Sequence, residues 1–257
     1  MTRRLFRPER LEAIVRELQQ AGYVSVADLS RQLGVSEVTV RSDLNALERA
    51  GALVRAHGGA VPVRSSDSAL SFAVRQRLHV QAKERIAALA ATLVTDGDSI
   101  VLDASTTSWH VARCITTRRD LTVLTTGLYV ALELLHSPGI SVIMPGGRIW
   151  PEAASLVGPW DSAILAQGNL RMAFIGGRGL TLEQGLTDAN PDEVVLKRKL
   201  VSLVSEVTVL VDGSKLGKVA FAPCLAVDEI QRVITDKSAA PEIVSALRSR
   251  GMDVLVA

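Results

Sequence analysis

Two groups of residues have types and spacings that could do chemistry. The first is Leu33-Gly34-Val35-Ser36-Glu37-Val38-Thr39-Val40-Arg41-Ser42-Asp43-Leu44. Val40, Leu44 and Leu47 recur at helical spacing and bury one face. The opposite face carries Glu37, Thr39, Arg41, Ser42 and Asn45. These are donors and acceptors of the kind that meet phosphates and base edges. Gly34 can take the left-handed turn that ends the preceding helix, and Ser36 can cap the next one. The chemistry is recognition of a DNA duplex.

The second group is a series of polar clusters, each following a short apolar run. They are Asp103-Ala104-Ser105-Thr106-Thr107, Thr125-Thr126-Gly127, Pro145-Gly146-Gly147-Arg148, Gly176-Gly177-Arg178-Gly179, Asp212-Gly213-Ser214-Lys215, and Asp236. A hydroxyl-rich loop opening a helix offers backbone N–H groups and a favourable dipole to an anion. Lys215 can neutralise a phosphate, and Asp103 and Asp212 can accept from hydroxyls. The set suits a small polyol or sugar with a phosphate. The phosphate is expected against Ser105, Thr106 and Thr107 with help from Lys215, and the polyol end at Asp103, Thr125, Thr126, Gly147 and Asp212.

Plainer readings compete. Ser105 to Thr107 can simply cap a helix, and Gly146-Gly147 can be a turn. Glu193 and Lys197 stand four apart on a helix and read as a solvated ion pair worth tenths of a kcal/mol. Gly176 to Gly179 lacks the full dinucleotide glycine fingerprint. Trp109 and Trp150 read as packing. His79, His110 and His136 are scattered, with no nucleophile or metal partner in view.

The elements that must position these groups follow from periodicity. Leu11, Ile14, Val15 and Leu18 give an amphipathic helix, with Pro8 in its first turn and Gly22 at its end. Val26 to Leu33 is the second helix. Glu37 to about Ala50 is the third, stopped by Gly51. Leu53-Val54-Arg55 and His57-Gly58-Gly59-Ala60-Val61 outline a hairpin. Three helices and a hairpin make a winged helix over 1–62. Residues 63–78 read as a linker that starts small and polar, and 79–257 as an α/β domain. Phe72 to Leu93 is helical in pattern. Strands are expected at Ser99–Leu102, Leu121–Thr125, Ile140–Met144, Ala173–Ile175, Val207–Val211 and Arg232–Thr235. Helices are expected at Ser108–Ile115, Leu128–Leu135, Asp161–Gly168 and Glu193–Val204. That alternation predicts a mostly parallel sheet covered on both faces, with ligands beyond the carboxyl ends of the strands.

Composition sets the outer limits. The 257 residues are 47% hydrophobic with a net charge of +2, enough for two cores but too neutral to announce a nucleic-acid partner. The first sixty-two residues hold arginine and no lysine, and seven carboxylates offset most of that charge. Affinity for DNA must therefore come from where the arginines sit. Cys114 and Cys224 lie outside any metal or disulfide spacing. We expect no cofactor and no membrane span, and a cytoplasmic protein.

With these residues in view, the chain resembles the DeoR family of bacterial transcriptional regulators (the DeoR/GlpR type). The match runs through Val35-Ser36 to Leu44, Leu47-Glu48, Gly51, Arg55 and His57-Gly58-Gly59-Ala60. It continues through Lys83, Ile86-Ala87, Asp96-Gly97-Asp98, Asp103 to Thr107, Gly146-Gly147, Gly185-Leu186-Thr187, Glu193, Lys197 and Asp212 to Lys215. The resemblance implies a winged helix joined to a sensor domain related to sugar-phosphate isomerases. It further implies a repressor of carbohydrate operons that leaves its operator when a phosphorylated sugar binds, acting as a homodimer or homotetramer. Ser36 and Thr39 would hold phosphates. Arg41, then Asn45, would reach bases or phosphates, with Glu37 and Ser42 on the same face and Arg55 and His57 on flanking backbone. Two departures stand out. Ser42 replaces a second arginine common in the family, and Thr126 replaces an asparagine. Two other functions compete. One is an isomerase-like enzyme using Asp103, Glu193 and Asp212, and the other is a nicotinamide-sensing redox repressor.

Overall fold

The computed structural model describes residues 6–21, 23–49, 52–56, 58–62, 72–158 and 169–257. The chain forms two compact units, 1–78 and 79–257.

In the first unit, α1 (Arg7–Ala21), β1 (Val24–Ser25), α2 (Val26–Leu33) and α3 (Glu37–Arg49) precede β2 (Leu53–Ala56), β3 (Gly59–Pro62) and a short α4 (Phe72–Arg75). The strands form an antiparallel sheet in the order β1-β3-β2. Local chemistry sets the turns. Ser25 caps α2 by accepting from the Asp28 N–H at 3.0 Å. Gly34 ends α2 at φ 63°, a conformation that favours glycine. Gly59 lets the hairpin close onto β1, because a Cβ there would lie 2.0 Å from the Val24 carbonyl oxygen. Leu11, Ile14, Leu18, Leu29, Val40, Leu44, Leu47 and Leu53 form the core. Asp43, 1% exposed, is gripped by Arg10 at 2.6 and 3.2 Å, which ties α3 to α1. Gly22, Gly51, His57, residues 63–68 and the helix expected at Asp161–Gly168 lie outside the described residues.

The helix expected from Phe72 to Leu93 is broken. It ends as α4, turns, and resumes as α5 (Val80–Ala91) with His79 at φ 51°. Val74 is buried in the core of the first unit and Ile86 in that of the second. One periodic run thus serves two cores.

The second unit is built on a seven-stranded sheet. Its chain order is β4 (Ser99–Leu102), α6 (Thr106–Ile115), β5 (Leu121–Thr125), α7 (Leu128–Leu134), β6 (Ile140–Ile143), β7 (Arg148–Trp150), β8 (Ser155–Val157) and β9 (Leu170–Gly176). Then come β10 (Gly179–Thr181), β11 (Gly185–Asp188), α8 (Pro191–Val201), β12 (Val204–Leu210), β13 (Ala222–Leu225), β14 (Arg232–Thr235), α9 (Pro241–Ser249) and β15 (Asp253–Val256). The large sheet runs β15-β14-β12-β9-β4-β5-β6, every neighbouring pair parallel. All six expected strands are in it. The last helix and strand, α9 and β15, add to the expected set. So do two small antiparallel sheets, β10-β11-β13 and β7-β8.

Alternate side chains serve opposite faces. Ile100, Leu102, Met172 and Phe174 pack with Ile86, Val111 and Ile115 of α5 and α6. Val101, Ala173 and Ile175 pack with Leu196, Leu200 and Leu247 of α8 and α9. Burial on both faces explains why these strands are near-continuous apolar runs. From β4 the chain winds outward to β5 and β6, and from β9 it winds the other way to β12, β14 and β15. The chain therefore leaves adjacent β4 and β9 in opposite directions, which makes their carboxyl ends the topological switch point, where sheets of this kind take ligands in a crevice.

Candidate DNA-reading face and effector site

On α3, Glu37, Arg41, Ser42 and Asn45 are exposed and Thr39 is half-buried, opposite buried Val40, Asp43, Leu44 and Leu47. Ser36 is the cap, its hydroxyl accepting from the Thr39 N–H at 3.2 Å and sharing a 2.9 Å hydrogen bond with the Thr39 hydroxyl. Arg41 donates to Glu37 at 2.8 Å, so its guanidinium is held along the helix by an exposed pair. Such a pair contributes only about 0.3–0.5 kcal/mol, and phosphate or a base edge can displace it. On β2, the Arg55 N–H donates to Glu48 at 3.2 Å, and Arg55 Nη1 is buried without a partner among the described residues.

In the second unit the polar clusters gather along the carboxyl edge of the sheet. Asp103, 0% exposed, stands at the crevice between β4 and β9. It accepts from the Ser105 N–H at 3.0 Å, the Ser108 hydroxyl at 2.6 Å and, across the crevice, the Gly176 N–H at 2.9 Å. Lys197 lies 3.0 Å away. Burial would raise the Asp103 carboxyl, but the Lys197 charge and the Ser108 and Ser105 hydrogen bonds outweigh it and hold the group below the ordinary range. Ser105 caps α6, its hydroxyl accepting from the Ser108 N–H at 3.1 Å. With the N–H groups of Ser105 and Ser108 taken, those of Thr106 and Thr107 have no partner among the described residues at this helix start. Gly176 has no room to spare, because a Cβ would sit 2.4 Å from that of Ser105.

The neighbouring loops close in. Thr125 is buried and its hydroxyl accepts from the Gly127 N–H at 3.0 Å. A Cβ on Gly127 would lie 2.9 Å from the Ala104 Cα, so the loops after β4 and β5 touch. Buried Thr126 accepts at its carbonyl from the Leu156 N–H at 2.8 Å, and Ser155 donates to Glu193 at 3.1 Å. Gly147 is exposed, at φ 121°, and faces the Val157 carbonyl at the hairpin of β7 and β8. Buried Asp212 accepts from the Ser214 N–H at 3.0 Å, and Gly213 donates to Asp236 at 2.9 Å. Lys215, half-buried, ends that turn. Since β12 neighbours β9, which neighbours β4, this turn lies two strands, roughly 10 Å, from Asp103 on the same edge.

The expected solvated pair of Glu193 and Lys197 is corrected by this geometry. Lys197 is 7% exposed and points inward. It donates to Asp188 at 2.6 Å and to the Gly176 carbonyl at 2.7 Å besides pairing with Asp103. Asp188 in turn faces Arg178 at 3.6 Å. Burial opposes the Lys197 charge, yet the two carboxylates lift its pKa above the usual lysine value. Asp188 stays below the carboxylate range because Lys197 and Arg178 overcome its burial. A signal for this existed: Lys197 falls three residues after Val194 and three before Leu200, on the buried face of α8. A lysine there needs a buried partner. Asp188, Ser108 and Ser155 carried no comparable mark, and Arg178 stood in a marked cluster without an assigned role. Trp109, half-buried, donates to Glu133 at 2.9 Å and meets His110 edge-on, a packing role.

A winged helix joined to a parallel α/β domain with polar side chains gathered at its strand switch defines a transcriptional regulator with its own sensing domain. Family models agree on both halves: residues 10–66 match the DeoR-like helix-turn-helix domain and residues 78–237 the DeoR C terminal sensor domain. The HTH-type transcriptional regulator GolR of Listeria innocua serovar 6a is 36% identical over 253 residues, 98% of this chain and 100% of its own. The HTH-type transcriptional repressor GlcR of Bacillus subtilis (strain 168) is 32% identical over 252 residues, covering 98% and 97%. The chain belongs to the DeoR family of transcriptional regulators, and it is a regulator rather than an enzyme. Among solved structures, a ribose 5-phosphate isomerase from Plasmodium falciparum aligns with 52% of this chain and 52% of its own at 18% identity and a TM-score of 0.39. Among the described residues no helix is long and apolar enough to cross a membrane.

Proposed function

We propose that this protein represses a carbohydrate-metabolism operon and releases its operator when a phosphorylated sugar binds the crevice between β4 and β9. The observation that carries the reading is the start of α6. There the N–H groups of Thr106 and Thr107 and the helix dipole face the strand switch, with Lys215 and Asp212 on the same edge. That is a phosphate seat beside hydroxyl-binding carboxyls and threonines. In this reading Asp103 works from beneath, holding Ser105 and Lys197 in place, while Thr126, Gly147 and Asp212 face the polyol. The repressor assignment is supported by the name of GlcR, a transcriptional repressor.

On DNA, two copies place their α3 helices in successive major grooves of a two-fold operator in the cytoplasm, as a homodimer or a pair of dimers. Ser36 and Thr39 meet phosphates, Arg41 and Asn45 the base edges, Glu37 and Ser42 flank them, and Arg55 and His57 meet the outer backbone. The effector acts by binding one arrangement of the copies more tightly than the other. A thermal-shift screen of phosphorylated and free sugars tests the seat, since a ligand bound only by the folded form raises the melting temperature. The expected hit is a sugar phosphate that also releases a DNA duplex. Asp212→Ala and Lys215→Ala should each bind DNA and ignore that ligand. Normal release by both variants would overturn the placement.

A further inference from the structure

We infer that Val38 reads a methyl group in the major groove, that of thymine, at the centre of the site α3 covers; this deepens the DNA-reading assignment of α3 and rests on it. Val38 is 72% exposed, a large apolar side chain on an otherwise polar face. At 3.6 residues per turn, Arg41, Ser42 and Asn45 all lie within about 60° of it around the helix axis. Val38 is therefore the middle of the reading face and not its rim. It is also the second residue of α3, and the N-terminal residues of a recognition helix are the ones that reach base edges.

The chemistry of the groove leaves one partner. Base edges there present donors, acceptors and a single apolar group, the C5-methyl of thymine. A β-branched residue in a helix has essentially one side-chain rotamer, so the two valine methyls are presented without further loss of freedom. Ser42, one turn on, is short and exposed, which leaves space beside Val38 for a methyl to enter. Arg41 is held toward Glu37, on the flank away from Ser42. A cytosine methylated at C5 offers the same group, and the two sources separate in the test.

The full-length chain is used to select from a random-sequence duplex library. Each thymine of the selected duplex is then replaced by deoxyuridine, which removes only the methyl, and binding is titrated at fixed salt. Wild type should lose about 4-fold at one thymine in each half-site, the worth of about one methylene returned to water. Val38→Ala should bind the thymine duplex as weakly as wild type binds the deoxyuridine one, with no further loss on substitution. At that step, 5-methylcytosine should bind wild type more tightly than cytosine. Neutral substitution at every thymine, or equal sensitivity in Val38→Ala, overturns the inference while α3 remains the reader. Failure to enrich any sequence overturns the DNA-reading assignment as well.

Discussion

Replacing Lys197 with methionine tests the buried network beneath the crevice. The Lys197 side chain is 8% exposed, and its ammonium lies 3.0 Å from Asp103 and 2.6 Å from Asp188. At an effective dielectric of about 20, each pair attracts by roughly 5–6 kcal/mol. Desolvation of the ions consumes several kcal/mol apiece, so removing one partner costs about 3–5 kcal/mol net. The sign of the pH dependence discriminates. In the native protein both carboxyls lie below their ordinary value of 3.8, so their contribution is present above that pH and fades only as acid titrates the folded groups. Without the ammonium, only the hydrogen bonds from Ser105, Ser108 and Gly176 oppose burial at Asp103, and its pKa climbs. The variant then takes up a proton on Asp103 at a higher pH than wild type does, so its deficit relative to wild type shrinks as the pH falls. Chemical denaturation followed by circular dichroism at pH 7.5 and pH 5 should show a gap from wild type that narrows at the lower pH. A loss under about 1 kcal/mol, or a gap independent of pH, would refute the reasoning.

Three further outcomes follow from the geometry. Arg41→Ala should weaken binding to a selected operator by about 1–3 kcal/mol if the guanidinium reads a base, and a salt-controlled titration with unchanged affinity would remove it from the reading face. Gly176→Ala places a methyl 2.4 Å from Ser105 Cβ and should displace the start of α6, so that thermal shift by the effector is lost while DNA binding persists. His110 is buried, its Nε2 lacks a protein partner among the described residues, and burial, then Lys83 and Arg113, push its pKa down to about 4. Being depressed from 6.5, it costs nothing above that pH and removes up to about 3 kcal/mol as pH falls toward 4. His110→Gln should lack that decline in denaturation measured across the interval.

Much of the fold was legible because its signals are local. Gly34, Ser36 and the Val40-Leu44-Leu47 stripe act within a few residues, and the capped turn and amphipathic α3 follow directly. The central strands were legible as apolar runs because both faces of the sheet are covered. What escaped depends on distant partners. Strands β10 and β11 have three and four residues and exist through pairing with each other and with β13, so their glycines look like loop. Among the described residues, strand β15 pairs along β14 alone, and it mixes buried with exposed positions. At the site, the residue types after each strand could be read off, yet Lys197 comes from a helix 94 positions after Asp103 by the numbering. Spacing along α8 suggested Glu193 as its partner. Desolvation decides otherwise, because a cation on the buried face of a helix is held by whatever carboxylates the sheet brings there.

The two units use polar residues in opposite ways, and this constrains how an effector can act. On α3 the polar groups are exposed and weakly paired, so they cost little to redirect toward DNA. Along the sheet edge they are buried and mutually bound: Asp103 to Ser105, Ser108, Gly176 and Lys197, Thr125 to Gly127, Asp212 to Ser214. Moving a two-state equilibrium from one part in a hundred to ninety-nine needs about 5.5 kcal/mol of differential binding. A helix dipole supplies at most about 2 kcal/mol to an anion, and it supplies the same in both states unless the loop itself moves. On the proposed reading, a phosphate seated at Thr106 and Thr107 would therefore anchor an effector without switching the protein. On that reading the switching free energy would have to come from the rest of the ligand drawing the loops after β5, β9 and β12 into an arrangement that only one of the two states accepts. That requirement explains why the candidate residues are spread over several strands instead of gathered in one motif.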